Sequence, residues 1–245
     1  PVVPTTRIQY IIQQGGLATN VVTDHTKIRL CIRDQNRTGV ETTTEWARQV
    51  AEGAAMATQT RAEFRVVFGL WDLLPNSPLI ERTYANFEKV GMPKWTDEEQ
   101  AFARTCQKNM GVPEKGLATK VIYLPKDQTV GGGTDVGDIS WNTPSCVFSV
   151  PTLPLGIGLH TWAATACGGM SIGVKGGVTA AAVMTATGYE VMTDAKLRGA
   201  SRADFEKRQG DKKYVCAVPP GQKGPSSLAN VEEKVGSDEF VADKE

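Results

Sequence analysis

Histidine is the scarcest chemical resource here, with two in 245 residues (His25 and His160). A self-contained histidine-rich metal site or a multi-histidine proton relay cannot be built from that supply. The five cysteines (Cys31, Cys106, Cys146, Cys167, Cys216) lie far apart with no CxxC pair. An odd, scattered set reads as reduced thiols of a cytoplasmic protein, not as a disulfide framework or a structural zinc site. Excess charge is absent too: 27 Lys and Arg balance 27 Asp and Glu. A protein that coats nucleic acid by many phosphate contacts does not fit that balance. The longest apolar stretches, such as residues 178–184, fall far short of the roughly 20 residues that cross a bilayer, and no membrane association is expected. No basic region followed by an apolar one opens the sequence, so no secretory leader is expected.

What is present suits a folded chain: 40% of residues are hydrophobic and 22% charged, enough for one large or two small domains. Residues 7–13 are β-branched and aromatic and stop at Gly15-Gly16, a strand closed by a turn. Ile28, Leu30 and Ile32 alternate with Lys27, Arg29, Cys31 and Arg33, the period of two that gives a strand one buried and one wetter face. Arg33 falls on the polar face. Apolar residues at helical spacing over 42–57 predict a helix, and 61–68 reads as another strand, making a small α+β layer. Leu73-Leu74-Pro75-Asn76-Ser77-Pro78 marks a crossing between domains.

Beyond the crossing, helices are expected over 79–90 and 96–110, the second opening with the capping-box pattern Thr96-Asp97-Glu98-Glu99. Residues 111–137 are loop-rich. Gly131-Gly132-Gly133 lacks the Lys-Ser/Thr and the strand-to-helix setting of a phosphate loop. Residues 146–150 form a short apolar, strand-like run, 151–158 are irregular, and helices are expected over 178–192 and 195–208. The tail at 221–245, rich in Ser, Glu, Lys and Gly, is expected to be loosely ordered.

Several residues are candidates for chemistry, each with a plainer reading beside it. His160 follows Gly156-Ile157-Gly158, glycines that let backbone approach a site closely; a loop histidine beside Trp162 is more often a structural hydrogen-bonding residue than a metal ligand. Asp135 and Asp138 flank Gly137, where Asp suits turn chemistry or orients a metal-bound residue. Cys146 and His160 would make a thiol and its base, but an apolar run favours an inert thiol. Asn20 and Arg33 are a third pair, because a planar guanidinium grips a carboxylate in two places.

In order along the chain stand Gly15-Gly16-Leu17-Ala18-Thr19-Asn20-Val21-Val22-Thr23-Asp24, Arg33, Glu52-Gly53-Ala54-Ala55, Leu74-Pro75-Asn76, Thr134-Asp135-Val136-Gly137-Asp138-Ile139-Ser140-Trp141, His160-Thr161-Trp162 and Ser171-Ile172-Gly173-Val174-Lys175-Gly176. This series resembles the two-metal peptidases of the aminoacylase/carboxypeptidase type (metallopeptidase family twenty). Within them it is similar to the amidohydrolase branch that includes p-aminobenzoyl-glutamate hydrolase and Xaa-Arg or β-alanyl dipeptidases. The resemblance runs to about Pro220.

It implies an α/β fold: the C-terminal part of a two-metal α/β catalytic domain (77–220) preceded by an incomplete α+β lid that dimerises (1–76). It also implies Zn²⁺ or Mn²⁺, two ions in a complete member, and hydrolysis of amide or peptide bonds in small N-acyl amino acids or dipeptides. A homodimer joined through the lid is implied with them. His160 matches the family's C-terminal metal ligand. Asn20 and Arg33 match lid residues that hold the tetrahedral intermediate or the substrate carboxylate in relatives. Departures accompany the match. The family's His-x-Asp/His motif, bridging Asp and Glu-Glu pair precede the lid in relatives and have no counterpart here, and one ligand cannot hold two metals. The lid histidine is missing as well, His25 not being at its place. Val174 stands where many relatives have His, and Thr23 where they have Pro. The resemblance thus implies a portion of a longer hydrolase, active when the other half is supplied; the alternative is a non-catalytic truncated or pseudo-enzyme that dimerises through the lid.

Overall fold

The computed structural model describes residues 2–123 and 133–221. The expected loose tail from 222 onward, and Gly131-Gly132, lie outside the described residues.

Strands β1 (Arg7–Gln14) and β2 (Lys27–Arg33) pair antiparallel into a two-stranded ribbon. Its register sets Ile8 opposite Ile32, Tyr10 opposite Leu30 and Ile12 opposite Ile28, while Arg7 faces Arg33 and Gln9 faces Cys31. Because side chains alternate across a strand, the first three pairs make one wholly apolar face. Arg33 stands on the other, as its period of two predicts. A register shift between Ile12 and Gln14 ends the regular pairing.

Helix α1 (Arg37–Thr58) follows at once. Asn36 caps it by accepting from the Gly39 N–H at 2.9 Å, and Gln59, in the left-handed region at φ 54°, closes it by donating its N–H to Ala55 and Met56 carbonyls. The helix thus begins five residues earlier than apolar spacing suggests, because the cap, not the first buried residue, fixes its start. Asp34 accepts from the Thr6 hydroxyl at 2.7 Å, the Gln35 N–H at 2.7 Å and the Thr5 hydroxyl at 3.0 Å. These bonds, that from Thr6 foremost, hold its carboxyl below the usual range and fasten the entry of β1 to the exit of β2.

The strand expected over 61–68 does not form. A strand exists only through a ladder partner, and in the one sheet among the described residues β1 and β2 pair with each other. Side chains hold the segment instead, with the Arg48 guanidinium 4.8 Å from the Phe64 ring centre.

A helical unit follows: α2 (Ser77–Val90), α3 (Asp97–Asn109), the short α4 (Val136–Ser140), α5 (Trp162–Gly168), α6 (Ser171–Thr193) and α7 (Ala195–Gln209). Asn76, 1% exposed, caps α2 by accepting from the Leu79 N–H and donates its side-chain N–H to the Ser201 carbonyl at 2.8 Å. The Leu-Pro-Asn turn therefore bolts α2 to α7. The capping box on α3 is formed in full, Thr96 N–H donating to Glu99 Oε2 at 2.8 Å and Glu99 N–H to the Thr96 hydroxyl at 3.2 Å.

Helix α6 starts seven residues before the expected 178. Its glycine-rich first turns are helical because close packing requires them: a Cβ on Gly176 would stand 2.8 Å from the Pro151 carbonyl oxygen. The main core joins Ala103 and Cys106 of α3 with Ala163 and Cys167 of α5, Ile172 of α6 and Leu117. A second core holds Leu74, Trp141 and Phe205, with Trp71 and Tyr214 packed against it.

The strand-like run 146–150 does not form a strand, since no neighbouring strand offers it a ladder among the described residues. Its side chains still pack on α2, Phe148 meeting Phe87 edge to face at 6.2 Å. The architecture is mixed helix with one small sheet. That is compatible with the α/β expectation.

Candidate functional site

His160 is exposed at the head of α5, where Thr161 caps the helix by accepting from the Ala164 N–H at 3.2 Å. Ala163 and Cys167 anchor the same short helix in the main core at 0% exposure. A rigid helix start with a solvent-facing imidazole just before it, beside Trp162 at 54% exposure, presents a donor to whatever approaches from outside.

A polar knot that sequence reasoning did not identify joins the starts of α3 and α6. Glu99, 5% exposed, accepts from the Ser171 hydroxyl at 2.6 Å, from Lys175 Nζ at 2.7 Å and from the Thr96 N–H at 2.8 Å. Lys175 Nζ also donates to the Lys94 carbonyl at 2.9 Å. The bond from Lys175, then that from Ser171, outweigh burial and hold the Glu99 carboxyl down to about 2. Two of these bonds, from Ser171 and Lys175, tie the start of α6 to the first turn of α3. The signal was divided between two motifs read separately, the capping box at Thr96 and the Ser171–Gly176 segment; only the fold shows that they meet.

Asn20 is exposed in the connection 15–26 between the strands, and Arg33 is exposed at the end of β2 opposite Arg7. The two therefore sit toward opposite ends of the ribbon, since β2 alone spans about 20 Å at roughly 3.3 Å per residue. Among the described residues, no hydrogen bond or ion pair joins Asn20 or Arg33 to each other or to His160.

Asp138 accepts from the Tyr214 hydroxyl at 2.9 Å; burial first, then this bond, push the Tyr214 hydroxyl up to about 12. Asp138 thus secures the Trp71–Trp141–Tyr214 aromatic cluster, in which the two indoles are 4.7 Å apart. Its second oxygen is buried with no partner. Asp135 is exposed and makes no capping bond at α4. Cys146 shares a 3.3 Å hydrogen bond with the Thr83 hydroxyl. No described contact links it to His160, so the thiol-and-base pairing is not formed. Cys167 lies against Cys106, and burial followed by that neighbour pushes its thiol up to about 11, which keeps it protonated and inert.

The donor set can be tested against a metal centre. Among the described residues no group of three or more His, Cys, Asp and Glu side chains is placed to hold an ion. The described residues do not make up a two-metal site by themselves.

No family model matches the chain. The chain is 28% identical to one of the subunits of p-aminobenzoyl-glutamate hydrolase from Escherichia coli (strain K12), over an alignment covering 89% of this chain and 51% of that protein. It is 32% identical to N-acetyldiaminopimelate deacetylase of Leuconostoc citreum (strain KM20) over 73 residues, 30% of this chain and 19% of that protein. The chain thus spans about half the length of the first relative and a fifth of the second. Together with the ordered motifs from Gly15 to Gly176, these likenesses support the amidohydrolase family of the aminoacylase/carboxypeptidase type, the chain resembling its C-terminal portion.

Proposed function

We propose that this chain supplies the lid and C-terminal catalytic portion of an amidohydrolase that cleaves the amide bond of small N-acyl amino acids or dipeptides, p-aminobenzoyl-glutamate being the first substrate to try. The observation that supports this most is the likeness to the Escherichia coli p-aminobenzoyl-glutamate hydrolase protein along 89% of the chain. His160 is the donor the chain contributes to a metal centre completed by residues outside it. Arg33, on the polar ribbon face, binds the substrate carboxylate through its planar guanidinium, and Asn20 donates its amide to the carbonyl oxygen as that oxygen gains charge. A dimer joined through the ribbon unit is part of the same reading, with the small amide or dipeptide as its substrate.

A second reading is that these 245 residues form a non-catalytic product that associates through the ribbon. The lone donor at His160 and the exposed apolar ribbon face favour it. Zinc and manganese analysis of the purified chain, with amidase assays on p-aminobenzoyl-glutamate and β-alanyl dipeptides, separates the two. Turnover that appears only when a longer chain is expressed supports an enzyme portion; metal-free, inactive but associated protein in both lengths supports the second reading. Two metal equivalents and turnover from the 245 residues alone would contradict the incomplete donor set. In the active longer protein, His160→Ala is expected to lose one metal equivalent, and Arg33→Ala to lower kcat/KM at least tenfold with little change in melting temperature.

A further inference from the structure

The polar face of the ribbon holds more charge than Arg33 alone. The register sets Arg7 directly opposite Arg33, Gln9 opposite Cys31 and Ile11 opposite Arg29, and alternation puts these six side chains on one face. Three guanidinium groups and no carboxylate share it, in a chain whose cations and anions balance at 27 each. Arg7, Arg29 and Arg33 are all exposed. Residues directly opposed across an antiparallel pair stand about 4.5–5.5 Å apart at Cα, and like charges placed so repel.

Several other arginines have carboxylate partners: Arg37 pairs with Glu41, Arg82 with Glu190, Arg202 with Glu206 and Arg208 with Asp204. Arg7 and Arg33 do not follow that pattern. Among the described residues no side-chain hydrogen bond or ion pair engages either guanidinium. Asp34, next in sequence to Arg33, is committed elsewhere, accepting from the Thr5 and Thr6 hydroxyls and the Gln35 N–H. An anion that enters here relieves the repulsion, and the geometry constrains its shape. Each guanidinium takes one carboxylate through two parallel N–H bonds, and two like charges on neighbouring strands splay apart. Two carboxylates on a short chain therefore satisfy both. One carboxylate leaves a cation unpaired, and a single phosphate must draw the two together.

We propose that Arg7 is a specificity-determining residue that binds, together with Arg33, the two carboxylates of an N-acyl dicarboxylic amino acid. Arg33 takes the α-carboxylate and Arg7 the side-chain carboxylate. That this ligand is the substrate rests on the amidohydrolase reading, within which the arginine pair narrows the substrate class to N-acylglutamates and their close homologues. A neutral side chain loses the Arg7 contact, and a cationic one, as in an Xaa-Arg dipeptide, is repelled by it.

The test is NMR titration of the 245-residue chain with N-acetylglutamate, its isosteric amide N-acetylglutamine and inorganic phosphate, following the Arg7 and Arg33 backbone amides. N-acetylglutamate is expected to bind about threefold tighter than the other two, the scale of one solvent-exposed ion pair. Arg7→Gln is expected to abolish that preference, and Arg33→Gln to weaken both acetyl ligands. The melting temperature of Arg7→Gln is expected to be unchanged or raised, because a cross-strand repulsion is removed. In the active longer protein, Arg7→Gln is expected to lower the ratio of kcat/KM for N-acylglutamate over N-acylglutamine about tenfold. Equal affinity of the wild type for the two acetyl ligands, phosphate binding as tight as N-acetylglutamate, or a preference that survives in Arg7→Gln would overturn the proposal. Selective binding without turnover in the longer protein supports the two-arginine site and refutes the amidohydrolase reading instead.

Discussion

The ribbon with α1 and the helical unit are built from similarly apolar sequence, yet they use it differently. In the helical unit, Ala103, Ala163, Cys167, Ile172 and Val183 are all 0% exposed. In the ribbon, Tyr10, Ile12 and Ile28 are 65, 60 and 52% exposed, and on α1 Met56 reaches 82%. A lone two-stranded ribbon is marginal in water, and the apolar face of this one stands exposed. One region is held by its own core, and the other by local hydrogen bonds at Asp34 and Asn36 and by whatever covers its open face.

The largest effect that would sharpen this contrast lies at Glu99. Glu99→Ala leaves Lys175 and the α6 start without their acceptor, and breaking such a buried pair costs about 3–5 kcal/mol. Its pH dependence has a definite sign. The folded carboxyl sits at about 2 against 4.5 when free, so its contribution is complete above about pH 4.5 and is lost as pH falls through about 2. Thermal melts from pH 6 to pH 2 are expected to show a steeper loss in the wild type than in Glu99→Gln. Parallel curves would mean that Glu99 is not the linked group.

Next in size is Ile172→Ala, which empties a fully buried site where α3, α5 and α6 meet. A loss of about 2–5 kcal/mol is expected by denaturant titration. A loss below about 1 kcal/mol would mean that this core is loosely packed. The same substitution at Ile12, on the ribbon, serves as the internal control.

Helices were the more legible part of this fold, and the reason is local. The Thr96–Glu99 capping box and the α7 pattern each complete themselves within a few residues, so sequence spacing reveals them. Strands at 61–68 and 146–150 fail for the opposite reason: their apolar residues are real, but a ladder needs a partner that spacing cannot supply. The candidate site divides the same way. The period of two placed Arg33 on the polar strand face, whereas the roles proposed for His160 and Arg33 rest on the family resemblance and not on their local spacing. Glu99 meeting Ser171 and Lys175 joins positions 72 and 76 residues apart, a distance that local spacing does not bridge.

A smaller effect, of the opposite sign, is expected in α1. Gly53 is mid-helix and a Cβ there would meet nothing within 4 Å, so Gly53→Ala is expected to stabilise by about 0.5–1 kcal/mol through helix propensity alone. At Gly137, in the helical unit, a Cβ would run into the Trp71 backbone carbonyl oxygen, and Gly137→Ala is expected to cost about 3 kcal/mol from overpacking. The pair compares an open helix with a crowded contact by the same one-carbon change.

The smallest effect on the isolated chain is the most informative about the ribbon. Tyr10→Ser removes an aromatic ring that is 65% exposed opposite Leu30, and a surface change of this kind shifts stability by no more than about 0.5 kcal/mol in dilute protein. If a second copy covers the apolar face, the same variant weakens self-association, and the wild type gains stability with concentration while the variant does not. Sedimentation at several concentrations, with melts of the same samples, reads both quantities. A concentration-dependent gap between wild type and Tyr10→Ser shows the face to be an interface between copies; identical behaviour at every concentration assigns it instead to a partner absent from the sample or to no partner at all.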